Sequence, residues 1–114
     1  MSANVTEIQA SQYAREVVEA KQPVVLDFFS TECPPCEALA PKYEALAEQF
    51  VGKVAFLKIF RQGNRDLATQ LGVSGSPTVL FFRGGKEVGT RLTGEIKRSE
   101  LKAALEALLA GHNG

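Results

Sequence analysis

The sequence contains no tryptophan, a single histidine and only two cysteines. One chain therefore cannot supply the four cysteine or histidine ligands of a common structural zinc site. Basic and acidic residues are balanced at 13 each, so the formal net charge is zero. This balance lacks the electrostatic signature of a protein that binds nucleic acid or an anionic membrane. We expect neither of these partners and no metal.

Long hydrophobic runs are also absent, and no apolar stretch approaches the roughly 20 residues that a membrane-spanning helix needs. Residues 1–7 contain neither the basic segment nor the apolar segment of a secretory signal peptide. We therefore expect a cytoplasmic protein. A mature periplasmic form, whose signal has been removed, stays open as the alternative.

Length and composition predict one globular domain. The 114 residues suffice for one domain with a core but not for two, and hydrophobic residues make up 45%. No internal repeat, low-complexity tract or linker divides the chain. We expect a single domain over residues 1–114, with a flexible tail at about 111–114, and a monomer.

Strand and helix patterns alternate along the chain. Apolar and β-branched runs predict strands at 4–8, 24–29, 53–60, 78–83 and 86–92. Amphipathic spacing predicts helices at 11–20, 37–50, 64–71 and 99–110, with Ser11, Asn64 and Ser99 as N-caps. Pro41 falls inside the second helix, Gly84-Gly85 predicts a hairpin turn, and Gly111 ends the last helix. The order βαβαβαββα predicts an α/β fold with a mixed sheet and helices on both faces.

The two cysteines stand in Cys33-Pro34-Pro35-Cys36, between a predicted buried strand and a predicted helix. A disulfide that closes so small a loop removes little entropy from the unfolded chain, so it is a poor structural staple. Thiols at the start of a helix are well placed for thiol–disulfide exchange. We therefore interpret the pair as redox-active. Half of a zinc or iron–sulfur site shared by two chains is the alternative.

Cys33 is the predicted nucleophile. Only a thiolate attacks a disulfide, and a helix N-terminus lowers a thiol pKa through free N–H donors and partial positive charge. Pro34 and Pro35 have no N–H, which leaves Cys36 and Glu37 as the donors of the first turn. Cys36, one turn further in, would resolve the mixed disulfide.

Asp27 is a carboxylate inside the apolar run of the second predicted strand. A buried carboxylate is costly unless it is paired or neutral, which makes Asp27 a second candidate for chemistry. Lys58 interrupts the third predicted strand in the same way. The alternative for Asp27 is a strand-end position that faces solvent.

Several spaced motifs together resemble the thioredoxin family over essentially the whole chain. They are Asp27-Phe28, Cys33-x-Pro35-Cys36, Pro41, Lys58, Gly75-Ser76-Pro77-Thr78, Gly84-Gly85-Lys86 and Gly94. The resemblance implies a thioredoxin fold, with a central sheet of about five strands flanked by four helices. It also implies disulfide exchange with protein substrates, a redox-active disulfide in place of a cofactor, and an electron donor such as a thioredoxin reductase.

The resemblance also implies roles for single residues. Asp27 would accept a proton from Cys36, with Lys58 paired to it. Pro77 would follow a cis peptide bond, and Ser76 would offer its backbone to an extended substrate, a form of strand addition. The other residues expected on the substrate-binding surface are Gly75, Thr93 and Gly94, for which plain turn geometry is the alternative.

The active-site loop departs from the usual family pattern at two positions. Glu32 stands where the family usually has tryptophan, and Pro34 stands where it usually has glycine. Glu37 adds a second carboxylate beside the motif. Two nearby carboxylates disfavour a thiolate, which predicts a less acidic Cys33 than in ordinary thioredoxins. If both carboxylates are solvated and screened, the effect disappears.

Further departures lie outside the loop. Ser76 replaces the isoleucine, valine or threonine that usually precedes the family's proline, so substrate choice or redox poise is expected to differ. Phe29 stands where a tryptophan is usual, and residues 60–62, Phe-Arg-Gln, replace a commonly acidic stretch.

These observations predict a thiol–disulfide oxidoreductase that reduces protein disulfides through a reversible Cys33–Cys36 disulfide. The alternatives within redox chemistry are a disulfide isomerase or oxidase, a redox protein dedicated to one partner, and a glutaredoxin-like activity. The alternative from a different class is a non-catalytic binding module with the same fold.

Overall fold

The computed structural model describes residues 3–111. Its strands are β1 (Val5–Ile8), β2 (Val24–Phe29), β3 (Ala55–Phe60), β4 (Thr78–Arg83) and β5 (Lys86–Thr93). Its α-helices are α1 (Pro34–Gln49), α2 (Arg65–Gln70) and α3 (Arg98–Ala110). Shorter elements are 3₁₀ turns at Ala10–Gln12 and Arg61–Gly63 and a π-helical turn at Ala14–Val18. None of the described helices is long and apolar enough to cross a bilayer.

The five strands form one mixed sheet in the order β1-β3-β2-β4-β5. Strands β1, β3 and β2 run parallel, whereas β4 is antiparallel to β2 and β5 is antiparallel to β4. Gly84 and Gly85 turn the chain between β4 and β5 with φ of 62° and 79°, the left-handed conformations that a tight hairpin turn needs. The predicted α/β fold and its hairpin are confirmed.

Side chains of β2 alternate between two hydrophobic layers. Val25 packs in the layer formed with α1 and α3. Val24, Leu26 and Phe28 pack in the opposite layer, with the π-helical turn and α2. Because neighbouring side chains on a strand point to opposite faces, Asp27 lies on the Val25 face, beneath α1.

Tyr43 joins α1 to the sheet. Its side chain is 2% exposed, and its hydroxyl lies 3.0 Å from the Val25 carbonyl oxygen and 2.5 Å from the Leu57 carbonyl oxygen. The single hydroxyl proton is shared between carbonyl groups of β2 and β3. This contact sets how α1 lies over the two strands.

The amino-terminal helix differs from its prediction. Residues 10–18 form a 3₁₀ turn and a π-helical turn, and Ser11 lies exposed within the first of them. The Gln12 side-chain oxygen accepts the Gln9 N–H at 2.9 Å, so no serine cap is needed. Asn64 occupies the N-cap of α2 as predicted, but its side chain accepts the Ala10 N–H at 2.8 Å instead of capping α2.

Helix α3 begins one residue before its predicted cap. Lys97 is the N-cap residue and Ser99 lies in the first turn, so the predicted serine cap is wrong. The Glu100 carboxylate accepts the Lys97 N–H at 2.9 Å, the half of a capping box that a glutamate supplies. Gly111 ends the helix with φ of 76°, as predicted. The remaining residues of the predicted tail, 112–114, lie outside the described part of the chain.

Two further boundaries differ from the predictions by more than one residue. Helix α1 begins at Pro34 instead of Glu37, because prolines fit the first helical positions, where an N–H would have no partner. Strand β3 begins at Ala55 instead of Lys53, because the Lys53 N–H donates to the Phe50 carbonyl oxygen at 2.9 Å and closes the turn after α1.

Candidate functional site

The two cysteines lie where β2 ends and α1 begins. Cys33 is the N-cap of α1, Cys36 lies in its first turn, and their Cα atoms are 5.2 Å apart within a disulfide. Cys33 is half-buried, whereas only 8% of Cys36 is exposed. The two sulfur atoms therefore differ in access, with Cys33 the one that an incoming group can reach.

The first turn of α1 offers a single N–H to the Cys33 sulfur. The Cys36 N–H donates to Cys33 Sγ at 3.3 Å, while the Glu37 N–H donates to the Cys33 carbonyl oxygen at 3.0 Å. Pro34 and Pro35 have no N–H to add. Of the two N–H donors that the sequence leaves in this turn, those of Cys36 and Glu37, only the Cys36 N–H donates to the Cys33 sulfur.

The Ser76–Pro77 peptide bond is cis, as predicted. The Ser76 carbonyl oxygen lies 3.6 Å from Cys33 Sγ, so this segment borders the disulfide. A groove of about 460 Å³ runs along it, which we call the substrate groove. Its lining consists of residues 72–78 together with Arg91, Thr93 and Gly94. Gly75, Thr93 and Gly94 therefore share one surface with Ser76 and Pro77. Their role in substrate binding stays a prediction.

Asp27 is buried beneath Cys36. Only 6% of the residue is exposed. It lines a cavity of about 170 Å³ together with Cys36, Tyr43, Lys58 and six other residues, one of which is Glu37. Its Oδ1 atom is buried and has no hydrogen-bond partner among the described residues. The alternative of a solvent-facing Asp27 is wrong.

Burial raises the pKa of Asp27 from 3.8 to about 7, and the neighbouring Lys58 charge lowers it less than burial raises it. Asp27 and Lys58 are register partners on β2 and β3. Among the described residues, however, no ion pair joins them. The Lys58 ammonium lies instead 5.3 Å from the centre of the Phe29 ring, a cation–π contact that the sequence did not indicate.

A polar network beside the cis bond was not foreseen from the sequence. Arg61 Nε donates to the Ser76 hydroxyl at 2.8 Å, and the Ser76 and Ser30 hydroxyl oxygens are 2.5 Å apart. Gln62 accepts the Thr31 N–H at 3.2 Å. The unusual residues at 60–62 were the available signal, but their contacts depend on the 3₁₀ turn that follows β3.

The carboxylates around the motif are exposed. Glu32 precedes Cys33 with φ of 52°, a left-handed conformation unusual for a residue with a side chain, and Glu37 is exposed on α1. The less acidic Cys33 that these residues predict stays a prediction. Among the described residues, no group of three or more histidine, cysteine, aspartate or glutamate side chains is arranged to hold a metal ion.

We expect Asp27→Asn to stabilise the oxidised protein above pH 7 and to have least effect near pH 4. The folded state keeps the Asp27 proton up to about pH 7, whereas the unfolded state releases it near 3.8, so the wild type loses stability as the pH rises between these values. At about 1.36 kcal/mol per pKa unit, the full gain is about 4 kcal/mol. Urea unfolding at several pH values measures it.

Asp66→Asn is the matched control, because Asp66 is exposed on α2. Its substitution should change the free energy of unfolding by less than about 0.5 kcal/mol at each pH. An Asp27→Asn gain that is equal at pH 4 and pH 8 would contradict the relief of a buried charge.

Known proteins are similar in sequence to this chain over most of its length. The family model described as Thioredoxin matches residues 4–107. The chain is 38% identical to "Thioredoxin" of Peptoclostridium acidaminophilum over 114 residues, which covers 100% of both chains. It is 42% identical over 91 residues to "Thioredoxin-2" of Saccharomyces cerevisiae, covering 79% of this chain and 86% of the relative. It is 30% identical over 107 residues to "Thioredoxin" of Pseudomonas aeruginosa, covering 94% and 98%. The chain therefore belongs to the thioredoxin family of thiol–disulfide oxidoreductases.

Proposed function

We propose that this protein reduces disulfide bonds of other proteins, with Cys33 as the attacking thiolate and Cys36 as the resolving thiol. The observation that carries the proposal is the asymmetry of the pair. The half-buried Cys33 sulfur lies 3.6 Å from the Ser76 carbonyl oxygen at the substrate groove, while Cys36 is buried behind it. The Cys36 N–H, 3.3 Å from the Cys33 sulfur, stabilises a thiolate there.

The reaction transfers two electrons from the dithiol to the substrate. The Cys33 thiolate attacks one sulfur of the substrate disulfide, forms a mixed disulfide and releases the other substrate sulfur as a thiolate. Cys36 then loses its proton and attacks Cys33 Sγ. The mixed disulfide breaks, the second substrate thiolate leaves, and the Cys33–Cys36 disulfide forms.

Asp27 is proposed to accept the Cys36 proton. Both residues line the same cavity, and a carboxyl group whose pKa lies at about 7 can gain and lose a proton at neutral pH. Lys58, the register partner of Asp27, limits how far burial raises that pKa. Lys58 thus helps keep Asp27 available as a base.

Substrate binding is proposed to occur along the substrate groove. The backbone of Ser76 pairs with an extended segment of the substrate, and Gly75, Thr93 and Gly94 leave room for it. Pro77 directly follows the pairing residue. Glu32, in the loop before α1, and Pro34 and Pro35, the first two residues of α1, flank the half-buried Cys33 along the chain.

The partners that family membership implies are disulfide-containing proteins and a reductase. We propose a thioredoxin reductase or a similar electron donor, which returns the Cys33–Cys36 disulfide to the dithiol without a separate cofactor. We further propose that the protein works as a monomer in the cytoplasm, where a thiol reductase is kept reduced.

Replacing either cysteine tests the assigned roles. Cys33→Ser should abolish the reduction of insulin disulfides, because no exposed thiolate remains to attack. Cys36→Ser should still attack and should accumulate a mixed disulfide with the substrate. This covalent species should disappear when dithiothreitol reduces the disulfide. Accumulation by the Cys33→Ser variant instead would reverse the two roles, and turnover by both variants would exclude the mechanism.

Asp27→Asn should slow release of the mixed disulfide by roughly tenfold or more at pH 7–8, because an amide cannot accept the Cys36 proton. The first attack by Cys33 should keep its rate. Rapid mixing of the reduced variant with a chromogenic disulfide separates the two steps. Asp27→Glu, which restores a carboxylate, should recover part of the second rate. Unchanged release in Asp27→Asn would contradict the role as proton acceptor.

The reduction potential of the Cys33–Cys36 couple tests the proposed direction and compartment. Equilibration with a defined thiol buffer should give a value near about −270 mV, typical of a thioredoxin that reduces its substrates. A value near about −180 mV or higher would contradict a cytoplasmic reductase. It would favour a disulfide isomerase or oxidase in an oxidising compartment.

A further inference from the structure

Arg61 is anchored beside the residue that precedes the cis bond. It is half-buried in the 3₁₀ turn after β3, and its Nε donates to the Ser76 hydroxyl at 2.8 Å. Ser30 holds that hydroxyl from the other side, with the two oxygen atoms 2.5 Å apart. Arginine has five N–H donors, and this bond uses one. Among the described residues, none accepts a hydrogen bond from the two terminal nitrogen atoms of Arg61.

A second groove continues from the substrate groove toward Arg61. Its volume is about 450 Å³, and we call it the arginine groove. Its lining consists of Arg61, Arg65, Ala68, Thr69, Gly72, Val73 and Ser74. Gly72, Val73 and Ser74 also line the substrate groove, so the two form one continuous surface. A peptide that pairs with Ser76 can extend along it.

The charge of the arginine groove has one sign. Arg61 and Arg65 are the charged residues of its described lining, and no carboxylate lines it. Within the described part of the chain, neither arginine forms an ion pair. Arg91, the third arginine on this surface, differs because it pairs with Glu87 at 2.7 Å and donates to the Gly72 carbonyl oxygen at 3.1 Å.

The opposite side of the active site carries both signs of charge. A groove of about 460 Å³ lies there between Pro34, Pro35 and the loop before α3, and its lining includes Lys42, Lys97 and Glu95. The Lys42 ammonium donates to the Ile96 carbonyl oxygen at 3.1 Å. The positive charges on this side thus share their groove with the Glu95 carboxylate, whereas the lining of the arginine groove contains no carboxylate.

We propose that Arg61 and Arg65 select protein substrates that carry aspartate or glutamate a few residues from the reactive disulfide. This inference rests on the proposed function, since it concerns substrates of the same site. The two terminal nitrogen atoms of Arg61 form a fork that matches a carboxylate, and the Ser76 contact already holds the guanidinium in place. Arg65, exposed at the start of α2, adds a second positive charge along the same path.

Matched peptide disulfides test this selection. Three peptides differ only in two residues beside the cysteine, which are Asp-Asp, Asn-Asn or Lys-Lys. The reduced wild type should reduce the acidic peptide with kcat/KM roughly tenfold above that of the neutral peptide, the size typical of a charge-assisted hydrogen bond. The basic peptide should rank last, and the acidic advantage should shrink as salt rises from about 0.05 to about 0.5 M.

Charge-removing variants assign the preference to the two arginines. In Arg61→Gln/Arg65→Gln the ratio of acidic to neutral kcat/KM should fall to near one, and Arg61→Lys should keep part of it. Arg65→Gln alone should lower the ratio partially. The Arg65 side chain makes no hydrogen bond to a described residue, so its replacement should not disturb the fold. Arg65→Gln therefore still tests the inference if loss of the Arg61–Ser76 hydrogen bond alters the turn after β3. Arg15→Gln removes the same charge from an exposed site outside both grooves and should leave the ratio unchanged.

The outcomes separate this inference from the proposed function. Reduction of the neutral peptide by the wild type, and its loss in Cys33→Ser, concern only the proposed function. A wild-type ratio near one would overturn the selection of acidic substrates while leaving the reductase intact. A high ratio that persists in the double variant would also overturn it, because the preference would then arise elsewhere on the surface.

Discussion

The Tyr43 hydroxyl, shared between the Val25 and Leu57 carbonyl oxygens, is the contact on which the site's geometry depends. It fixes α1 against two neighbouring strands two turns after the cysteines. The first turn of α1 is thereby held at the end of β2, where the Cys36 N–H meets the Cys33 sulfur. The same placement puts Cys36 and Asp27 on the walls of one cavity. A shift of α1 along the sheet would disturb the disulfide and the surroundings of the Asp27 carboxyl group together.

The Asp27 carboxyl group, buried beneath Cys36, has an unsatisfied hydrogen-bond acceptor. Asp27 Oδ1 has no hydrogen-bond partner among the described residues, and the Lys58 ammonium lies over the Phe29 ring without pairing with the carboxylate. A close ion pair would stabilise the carboxylate and would hold its pKa low. Because Asp27 and Lys58 form no ion pair, the folded protein is less stable at neutral pH, but the pKa of Asp27 can lie at about 7. The folded protein is thus less stable at neutral pH because of the residue that we propose as the proton acceptor.

Local signals in the sequence were enough to predict the α/β fold and the order of its strands and main helices along the chain. The apolar run of β2 and the Gly84-Gly85 turn predicted their elements at the observed positions, and the cysteine spacing predicted the disulfide. Capping was predicted less well. Neither Ser11 nor Ser99 is an N-cap, and the side chains of Gln12 and Glu100 instead reach back to accept the N–H groups of Gln9 and Lys97. Contacts between distant segments had no local signal. Asn64 bonds to Ala10 across 54 positions, which no propensity reveals.

Two departures from the family pattern that looked unrelated in the sequence form one structural unit. Ser76 takes the place of a usual isoleucine, valine or threonine, and Arg61 lies in a stretch that is commonly acidic. In the fold the Ser76 hydroxyl is the acceptor that anchors the Arg61 side chain, and Ser30 completes the network. Isoleucine or valine at position 76 would leave the Arg61 Nε without this partner, and an ionised carboxylate at position 61 would have no N–H to donate to the Ser76 hydroxyl. Each residue thus explains the other, and together they place a fixed positive charge next to the segment that a substrate would meet.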